Sequence, residues 1–354
     1  MKLLSDLVVL DLSSVLAGPS AGTFLAELGA KVIKVENLKR GGDVTNSWRL
    51  PVEKENAVSA YYSSVNFNKE VHLLDLTSSS SQDQLSTWLA EADVVLENFK
   101  AKDRVKFGVD PTHIKAHYPS LIHCHLRGFE HALNRVAYDV VLQAETGFMS
   151  MNGTKESGPV KMPVAMIDVM AAHQMKEAVL LALYKRATTN SGSYIELSLE
   201  ASGLSALVNQ ASNFLMADHV AERMGSKHPN IAPYGELFSC ADGKMVVLAI
   251  GSDAQFGELC AYLGLDELMD DDRFATNAKR VVHRAALEEK LKAQIEIRNA
   301  SDFLSYCHAH QLPVGEVKTM DDVLSSKTAQ EMIREEIIHG ETTKRLSSIA
   351  FRIT

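Results

Sequence analysis

The sequence predicts an α/β fold: a Rossmann-like large domain with a parallel sheet flanked by helices, followed by a smaller α+β domain. Two observations support this class. Through about the first 200 residues, short apolar runs alternate with segments of helical periodicity, which is typical of a parallel sheet covered by helices on both faces. A β-hairpin signal and helices rich in charge then replace this alternation.

The first elements form a βαβ unit. Residues 7–12 are a strand-like apolar run, residues 21–30 have helical spacing, and residues 31–36 (KVIKVE) resemble a second strand. A loop of small residues, SSVLAGPS, joins the first strand to the helix. A strand, a helix and a strand in this order indicate parallel pairing, so the unit begins the predicted sheet.

The alternation continues through three more strand-like runs. VHLLDL, DVVLEN and LIHCHL are separated by helical segments, and they are followed by a long helix from Val169 to Arg186, the strand SYIELSL and a second long helix from Glu200 to Asp218. We therefore expect a large domain of residues 1–219 and a small domain of residues 220–325. Residues 326–354 are expected to return to the large domain.

Composition and charge exclude several classes of function. A hydrophobic fraction of 46% and a charged fraction of 23% are ordinary for a folded globular protein. The net charge of -9 disfavours a nucleic-acid or anionic-membrane partner. Asp6 and Asp11 interrupt the first apolar run, so neither a signal peptide nor a spanning helix is expected. The four cysteines form no CxxC pair, which favours the cytoplasm and no metal site.

The first βαβ unit also permits a dinucleotide-binding interpretation. Glu36 ends the second strand near the place of a ribose-binding acid. However, the GxGxxG fingerprint is missing, and Pro19 occupies a position where the backbone should approach a pyrophosphate. A purely structural role for this unit is therefore favoured over NAD binding, although the amino terminus of its helix could hold an anion.

A basic run follows the strand that ends near Asn98 and Phe99; its members are Lys100, Lys102, Arg104 and Lys106. Such runs usually lie on solvated faces. Open α/β sheets, however, bind ligands beyond the carboxyl ends of their strands. A phosphate-rich ligand whose adenine stacks on Phe99 would account for both features. The neighbouring His123, Cys124 and His125 lack a second cluster, so a metal site there is disfavoured.

Asp168 stands immediately before the helical run that begins at Val169. The commonest role for an aspartate in this position is to cap the helix. The position also suits a carboxylate nucleophile, because the helix dipole favours the ionised carboxyl. The two roles compete for the same oxygen atoms, and the local pattern leaves both open.

Several segments, taken together, resemble the family III coenzyme A transferases, which include formyl-CoA transferase, carnitine CoA-transferase and α-methylacyl-CoA racemase. The resemblance extends over about residues 6 to 325 and rests on many motifs in one order. The matching segments are LAGPSAGTFLAELGAKVIKVE, LDL, ADVVLENFK, RGF, YDVVLQAETGFMSMNG, the helix that follows Asp168 and ends LLALYKR, GSYIELSLEA, HPNIAPYGELFSCADGK, DDRFATNAKRVVHR and LPVGEV.

The resemblance implies that Asp168 attacks an acyl-CoA thioester to give a mixed anhydride and then an aspartyl-CoA thioester, which an acceptor acid opens. It implies acyl-CoA and a small carboxylic acid as substrates, no metal, and an interlocked homodimer. Matched by position, the coenzyme A contacts are Leu16, Ala17, Leu74, Asn98, Phe99, Lys100, Lys106 and Tyr138.

The chain departs from the family's pattern at three places. Tyr138 stands where the racemases carry a proton-transferring histidine, which favours transfer over racemisation. No glycine follows Asp168 within residues 169–172, and EHALNRVA replaces the usual Gly-Pro loop after RGF. An acyl-CoA racemase or isomerase and a non-catalytic CoA-binding protein stay open as alternatives. The acyl group and the acceptor are not determined by the sequence.

Overall fold

The computed structural model describes residues 3–55 and 57–354, which form two compact units. The first unit contains the described residues up to Phe148 together with Lys161–Val220 and Lys327–Thr354. The second contains Met149–Val160 and Ala221–Ser326. The predicted domains and these units differ mainly in residues 149–160, which cluster with the second unit.

The chain contains three sheets, whose strands in order are β1 (Val8–Asp11), β2 (Lys31–Asn37), β3 (Glu70–Leu74), β4 (Val94–Glu97), β5 (Ile122–Arg127), β6 (Ser193–Ser198), β7 (Tyr234–Ser239), β8 (Met245–Ala249), β9 (Val314–Glu316), β10 (Ile333–Ile338) and β11 (Glu341–Leu346). The main sheet is parallel, with the strand order β3-β2-β1-β4-β5-β6. Its order reverses between β1 and β4, and such a switch point opens a crevice at the carboxyl ends of the strands.

The helices surround these sheets. In order they are α1 (Ala17–Glu27), α2 (Ala60–Val65), α3 (Ser79–Glu91), α4 (Ala101–Lys106), α5 (Pro111–His117), α6 (Asp139–Glu145), α7 (Phe148–Met151), α8 (Met166–Thr189), α9 (Leu199–Ser205), α10 (Val208–Ala217), α11 (Asp253–Leu263), α12 (Glu267–Asp270), α13 (Asn277–Val282), α14 (Arg284–Ile295), α15 (Ala300–Ala309), α16 (Met320–Ser325) and α17 (Lys327–Met332). No helix built from the described residues combines the length and apolarity needed to cross a bilayer.

The core of the first unit lies on both faces of its sheet. One face packs against α1 and α8 through residues such as Phe24 and Met175, and the other packs against α3 and α5 through Leu85 and Ile114. A strand that is buried on both faces consists of a continuous run of apolar residues, which explains why the sequence predicted β1 and β4. The predicted Rossmann-like large domain is confirmed.

The second unit has its own core and a three-stranded antiparallel sheet in the order β7-β8-β9. Gly243, with φ of +78°, forms the turn between β7 and β8, where the sequence predicted a hairpin. Helices α11 to α15 cover this sheet through buried Phe256 and Phe303. The smaller α+β part of the predicted fold is therefore confirmed.

Two predicted helices have different bounds in the structure. The long helix begins at Met166 and not at Val169, so Asp168 lies inside it. The predicted helix from Glu200 to Asp218 is divided into α9 and α10. The backbone at Val208 has φ of +44°, which a continuous α-helix does not permit, and this break was not encoded in the apolar spacing.

Candidate active site

Asp168 lies in the first turn of α8 and is 92% buried, with 8% of its surface exposed. The residue at the N-cap is Ala165, and no side chain of the cap closes the helix end. Instead, the Oδ1 atom of Asp139 accepts hydrogen bonds from the N–H groups of Ile167 (2.7 Å) and Asp168 (3.3 Å). The capping role that the sequence allowed for Asp168 is therefore wrong, because Asp139 performs it from α6.

The carboxylate of Asp168 has no hydrogen-bond donor or cation as partner among residues 3–55 and 57–354. Burial, followed by the neighbouring charge of Asp139, raises the pKa of Asp168 to about 7. A desolvated carboxylate without a counter-ion is a stronger nucleophile than a hydrated one, and its pKa places it near half ionisation at neutral pH. The local environment therefore suits covalent chemistry.

Asp139 and Gln143 fix the two helices that meet at this carboxyl. The Nε2 atom of Gln143 donates to Oδ2 of Asp139 at 2.6 Å, and its Oε1 accepts the N–H of Met162 at 2.7 Å. Gln143 is fully buried. Both residues belong to the YDVVLQ segment that carried the family resemblance, but the sequence analysis did not single them out, since their role depends on contacts between distant segments.

Tyr61 is a further member of the site that the sequence analysis missed. It is half-buried, and burial, followed by the charges of Asp168, Asp139 and Asp43, raises the pKa of its hydroxyl to about 12. Tyr61 therefore stays neutral and able to donate a hydrogen bond at physiological pH. Trp48 packs edge-on against its ring, with 5.3 Å between ring centroids. Both lie between β2 and β3, where no periodic pattern drew attention to them.

The loops that follow β1 and β4 meet at the switch point. The side-chain amide of Asn98 accepts from the N–H of Ser14 at 3.2 Å and donates to its carbonyl at 3.1 Å. Leu16 occupies the N-cap of α1 without a side-chain cap, and Ala17 is buried. These predicted contact residues therefore lie in one place, with Asn98 binding the loop that holds the other two.

The remaining predicted contacts lie on β3, in the segment and helix that follow β4, and before α6. Leu74 ends β3 and packs with Phe99 on the apolar cluster beneath α3 and α5. Lys100 is the N-cap of α4 and is exposed, and Lys106 ends α4 with its Nζ atom 5.7 Å from the centre of the Phe107 ring. Tyr138 is exposed at the N-cap of α6, directly before Asp139. Their contacts with coenzyme A stay predictions.

His123 and His125 are buried and share one oxygen of Glu97, with distances of 3.0 and 2.8 Å. Burial raises the pKa of Glu97, but the hydrogen bonds from the two histidines outweigh it and hold this pKa below its usual value. The other oxygen of Glu97 accepts the N–H of Phe99 at 2.8 Å. The histidines thus support the loop after β4, and no metal-ligating group of three side chains occurs among the described residues.

Glu36 does not have the free carboxylate that a ribose-binding acid requires. Its two oxygens accept from the hydroxyl of Tyr62 at 2.7 Å and from the N–H of Asp43 at 2.9 Å, and the residue is buried. These internal bonds argue against NAD binding in this chain. The strand order and the unpaired carboxyl of Asp168 together define the class: an α/β enzyme with a ligand-binding switch point in its sheet and a buried carboxylate suited to covalent chemistry.

Comparison with known proteins makes the class specific. The sequence profile of CoA-transferase family III matches residues 4–352. The chain is 34% identical over 334 residues to the succinate–glutarate CoA-transferase of Agrobacterium fabrum, covering 92% of this chain and 83% of that protein. It is 32% identical to the human succinyl-CoA:glutarate CoA-transferase, covering 92% of this chain and 74% of that protein.

A solved structure has the same fold. The crystal structure of a CAIB/BAIF family protein from Brucella suis superposes with a TM-score of 0.84 at 35% identity, covering 98% of this chain and 92% of that one. The chain therefore belongs to CoA-transferase family III. The family membership and the enzyme class predicted from the motifs are confirmed.

Proposed function

We propose that the protein transfers coenzyme A from an acyl-CoA thioester to a carboxylic acid through covalent intermediates on Asp168. The observation that carries this proposal is the buried, unneutralised carboxyl of Asp168 in the first turn of α8, with its raised pKa. A structural aspartate at a helix start would be engaged in capping, whereas Asp139 does that work here. The carboxylate is thus available to a substrate.

The transfer needs four displacement steps. An oxygen of Asp168 attacks the thioester carbonyl, the C–S bond breaks, and the coenzyme A thiolate leaves a mixed anhydride. The thiolate attacks the aspartyl carbonyl and expels the donor's carboxylate, which gives an aspartyl-CoA thioester. The acceptor carboxylate then attacks that carbonyl and releases the thiolate. Finally the thiolate attacks the acceptor's carbonyl, forms the new acyl-CoA and restores the Asp168 carboxylate.

The chain's own groups support these steps in two ways. Burial of Asp168 limits the access of water to an anhydride that water would hydrolyse. Tyr61 keeps its proton at neutral pH and lies within electrostatic reach of Asp168, so it is suited to donate a hydrogen bond to the oxyanion of a tetrahedral intermediate. The coenzyme itself is proposed to contact the residues predicted above, which are Leu16, Ala17, Leu74, Asn98, Phe99, Lys100, Lys106 and Tyr138.

The substrates are proposed to be dicarboxylic acids and their monothioesters. Relatives over most of this chain are named for succinate and glutarate, for mesaconate, and for oxalate. The racemase alternative is less well supported, because Tyr138 replaces the histidine of the racemases. It predicts exchange of the α-proton in one substrate without an acceptor, which distinguishes it from transfer.

We propose that two chains form the interlocked homodimer expected from the resemblance and act in the cytoplasm. Large apolar side chains on α8 and α10 expose 69 to 87% of their surface, which a second copy would cover; they are Leu181, Val208, Leu215 and Met216. The four cysteines are buried and free, as suits a reducing compartment. Light scattering behind size-exclusion chromatography should give twice the mass of one chain, and the mass of one chain would contradict the dimer.

The test of the mechanism is to trap the covalent intermediates. The protein is incubated with succinyl-CoA and then with hydroxylamine, which converts an aspartyl anhydride or thioester into a hydroxamate that peptide mass spectrometry can locate. Modification confined to Asp168 is expected, and Asp83→Asn on the exposed face of α3 serves as a matched control with normal labelling. Transfer at the normal rate by Asp168→Ala would refute the mechanism. Proton exchange without transfer would favour a racemase.

A further inference from the structure

The loop that follows β1 is held by side chains instead of by main-chain pairing. Five successive polar groups of the main chain, from the N–H of Ser13 to the N–H of Val15, each bond to a side chain. One side chain comes from the end of β1, one from the middle of β2, one from the position after β4 and one from the loop after β2; they are Asp11, Lys34, Asn98 and Asp43. Side chains therefore fix the first part of this loop, from Ser13 to the N–H of Val15.

The conformation held in this way is strained. Val15 has φ of +73°, a region that a β-branched side chain enters at an energetic cost. The loop also packs closely on α1, since a Cβ atom at Gly18 would lie 2.2 Å from the Oγ atom of Ser13. Strain of this kind persists only where the surroundings enforce it, and it concentrates at functional sites.

Four buried charges enforce the conformation. The Nζ atom of Lys69 lies 2.8 Å from Oδ2 of Asp11, and Lys34 lies 3.9 Å from Asp11 and 3.7 Å from Asp43. All four side chains are 0 or 1% exposed. Lys69 also donates to the carbonyls of Pro19 in α1 and of Val65 in α2, at 2.8 and 3.0 Å.

We propose that Lys69 is a positioning residue for coenzyme A: by neutralising Asp11 it keeps the loop from Ser13 to Leu16 in the strained conformation that binds the cofactor. The inference rests on the proposed function, because it takes Leu16 and Ala17 to be coenzyme A contacts. It adds that residues remote from the ligand determine whether those contacts are available. Lys69 touches no reacting atom in this role.

A stabilising role alone does not account for this arrangement. Apolar side chains of similar volume often stabilise a core as well as a buried ion pair does. A glycine in place of Val15 would adopt the same backbone angles without strain. The chain has both the buried ion pair and the strained Val15 at the loop that leads into Leu16. We therefore attribute these two features to ligand binding.

The first experiment changes the conformation of the loop. Val15→Pro restricts φ to about −65° and removes the N–H that bonds to Asp43, so the loop cannot keep its position. Val15→Gly is the matched control, because glycine adopts the left-handed backbone without strain and keeps that bond. The Kd for an S-methyl thioether of coenzyme A, measured by calorimetry, should rise about tenfold in Val15→Pro and stay unchanged in Val15→Gly. Normal affinity in Val15→Pro would overturn the proposal.

The second experiment addresses Lys69 through matched substitutions. Lys69→Met leaves Asp11 with one counter-ion and should weaken binding of the same thioether about tenfold. Lys176→Met, which removes another largely buried lysine of the first unit from its place over the ring of Phe24, is the control. Thioether affinity equal to that of the unmodified protein in both variants, or lowered equally in both, would overturn the proposal.

The third experiment measures how thioether affinity depends on pH. A purely structural role of Lys69 would not change this dependence. Burial lowers the pKa of Lys69 to about 8, against the opposing effect of Asp11; the other charged groups that face it are Lys34, Asp43 and Glu336. Thioether affinity should therefore fall as the pH rises through about 8. In Lys69→Arg, whose guanidinium stays charged, it should stay level over that range. An identical decline in both proteins would count against Lys69.

The outcomes separate this inference from the proposed function. If the unmodified protein neither binds the thioether nor transfers coenzyme A, the function fails. If it binds normally and Val15→Pro and Lys69→Met also bind normally, only the positioning role fails. Because Val15→Pro replaces no buried charge, it keeps the test decisive even where a Lys69 variant does not fold.

Discussion

Asp11 at the end of β1 and Asp168 at the start of α8 are both buried aspartates, but their carboxyls have opposite ionisation behaviour. Burial raises the pKa of each. At Asp11 the charges of Lys34 and Lys69 outweigh burial and lower the pKa to about 2. At Asp168 no cation within the described part of the chain opposes burial, and the pKa rises to about 7. Because both carboxyls are buried, the charged side chains around them determine which one is a fixed anion and which one is reactive.

The largest effect should come from removing the reactive carboxyl. Asp168→Ala is expected to lower kcat by more than about 10⁴-fold, because every covalent step needs this oxygen. Its Kd for coenzyme A should stay within a few-fold, since the predicted nucleotide contacts lie at the ends of β3 and β4. Steady-state transfer and calorimetry measure the two values. A large loss of affinity would show that Asp168 acts mainly in binding.

Besides its proposed role in binding, the fixed anion should also matter for stability. Lys69→Met leaves Asp11 with a weaker counter-ion, and the free energy of unfolding should fall by about 3 to 5 kcal/mol, as when one partner of a buried ion pair is removed. Urea unfolding near pH 7 measures the change. A loss below about 1 kcal/mol, the usual value for an exposed pair, would contradict the comparison.

An exposed lysine provides the contrast to Lys69. Lys106→Ala should leave the unfolding free energy within about 0.5 kcal/mol, since the residue is on the surface. It should weaken coenzyme A binding by about 1.5 to 3 kcal/mol if it makes a charge-assisted phosphate contact. Calorimetry at low and high salt measures this loss. Unchanged affinity would remove Lys106 from the predicted contacts.

The smallest effect should be a gain in the free energy of unfolding when the reactive carboxyl of Asp168 is replaced by an amide. The folded protein holds the proton of Asp168 up to pH of about 7, whereas the unfolded chain releases it near the ordinary value of 3.8. Ionisation therefore costs stability progressively between these values, and the cost is complete above pH 7. Asp168→Asn should be more stable than the unmodified protein by about 1 to 2 kcal/mol at pH 8, and by much less at pH 4. A constant difference would contradict the raised pKa.

The sequence predicted the elements that apolar patterns encode. Strands β1, β4 and β5 are buried on both faces, so their runs were visible, and the turn at Gly243 carried a hairpin signal. The break before Val208 was not visible, because a positive φ at valine results from surrounding structure and not from local preference. The early start of α8 was missed for a similar reason, since its cap comes from another helix.

The site was less predictable than the fold. Asp168 was found through a family resemblance, while its local pattern alone favoured capping. Tyr61 and Trp48 come from a segment without periodicity, and only the folded chain places Tyr61 near Asp168. The pairing of Lys69 with Asp11 spans 58 positions in the sequence, so no short motif could indicate it.

The hairpin of β10 and β11 has a consequence for the order in which the site is assembled. Glu336 accepts the N–H of Asn68 at 2.7 Å, across 268 positions, and Arg345 stacks on Phe67 at 4.1 Å. These contacts support the turn that carries Lys69. During synthesis on the ribosome, all strands of the main sheet emerge before residues 333–346 do. A nascent chain would therefore hold a formed sheet with an unsupported Lys69, and it would bind coenzyme A tightly only after the hairpin had docked.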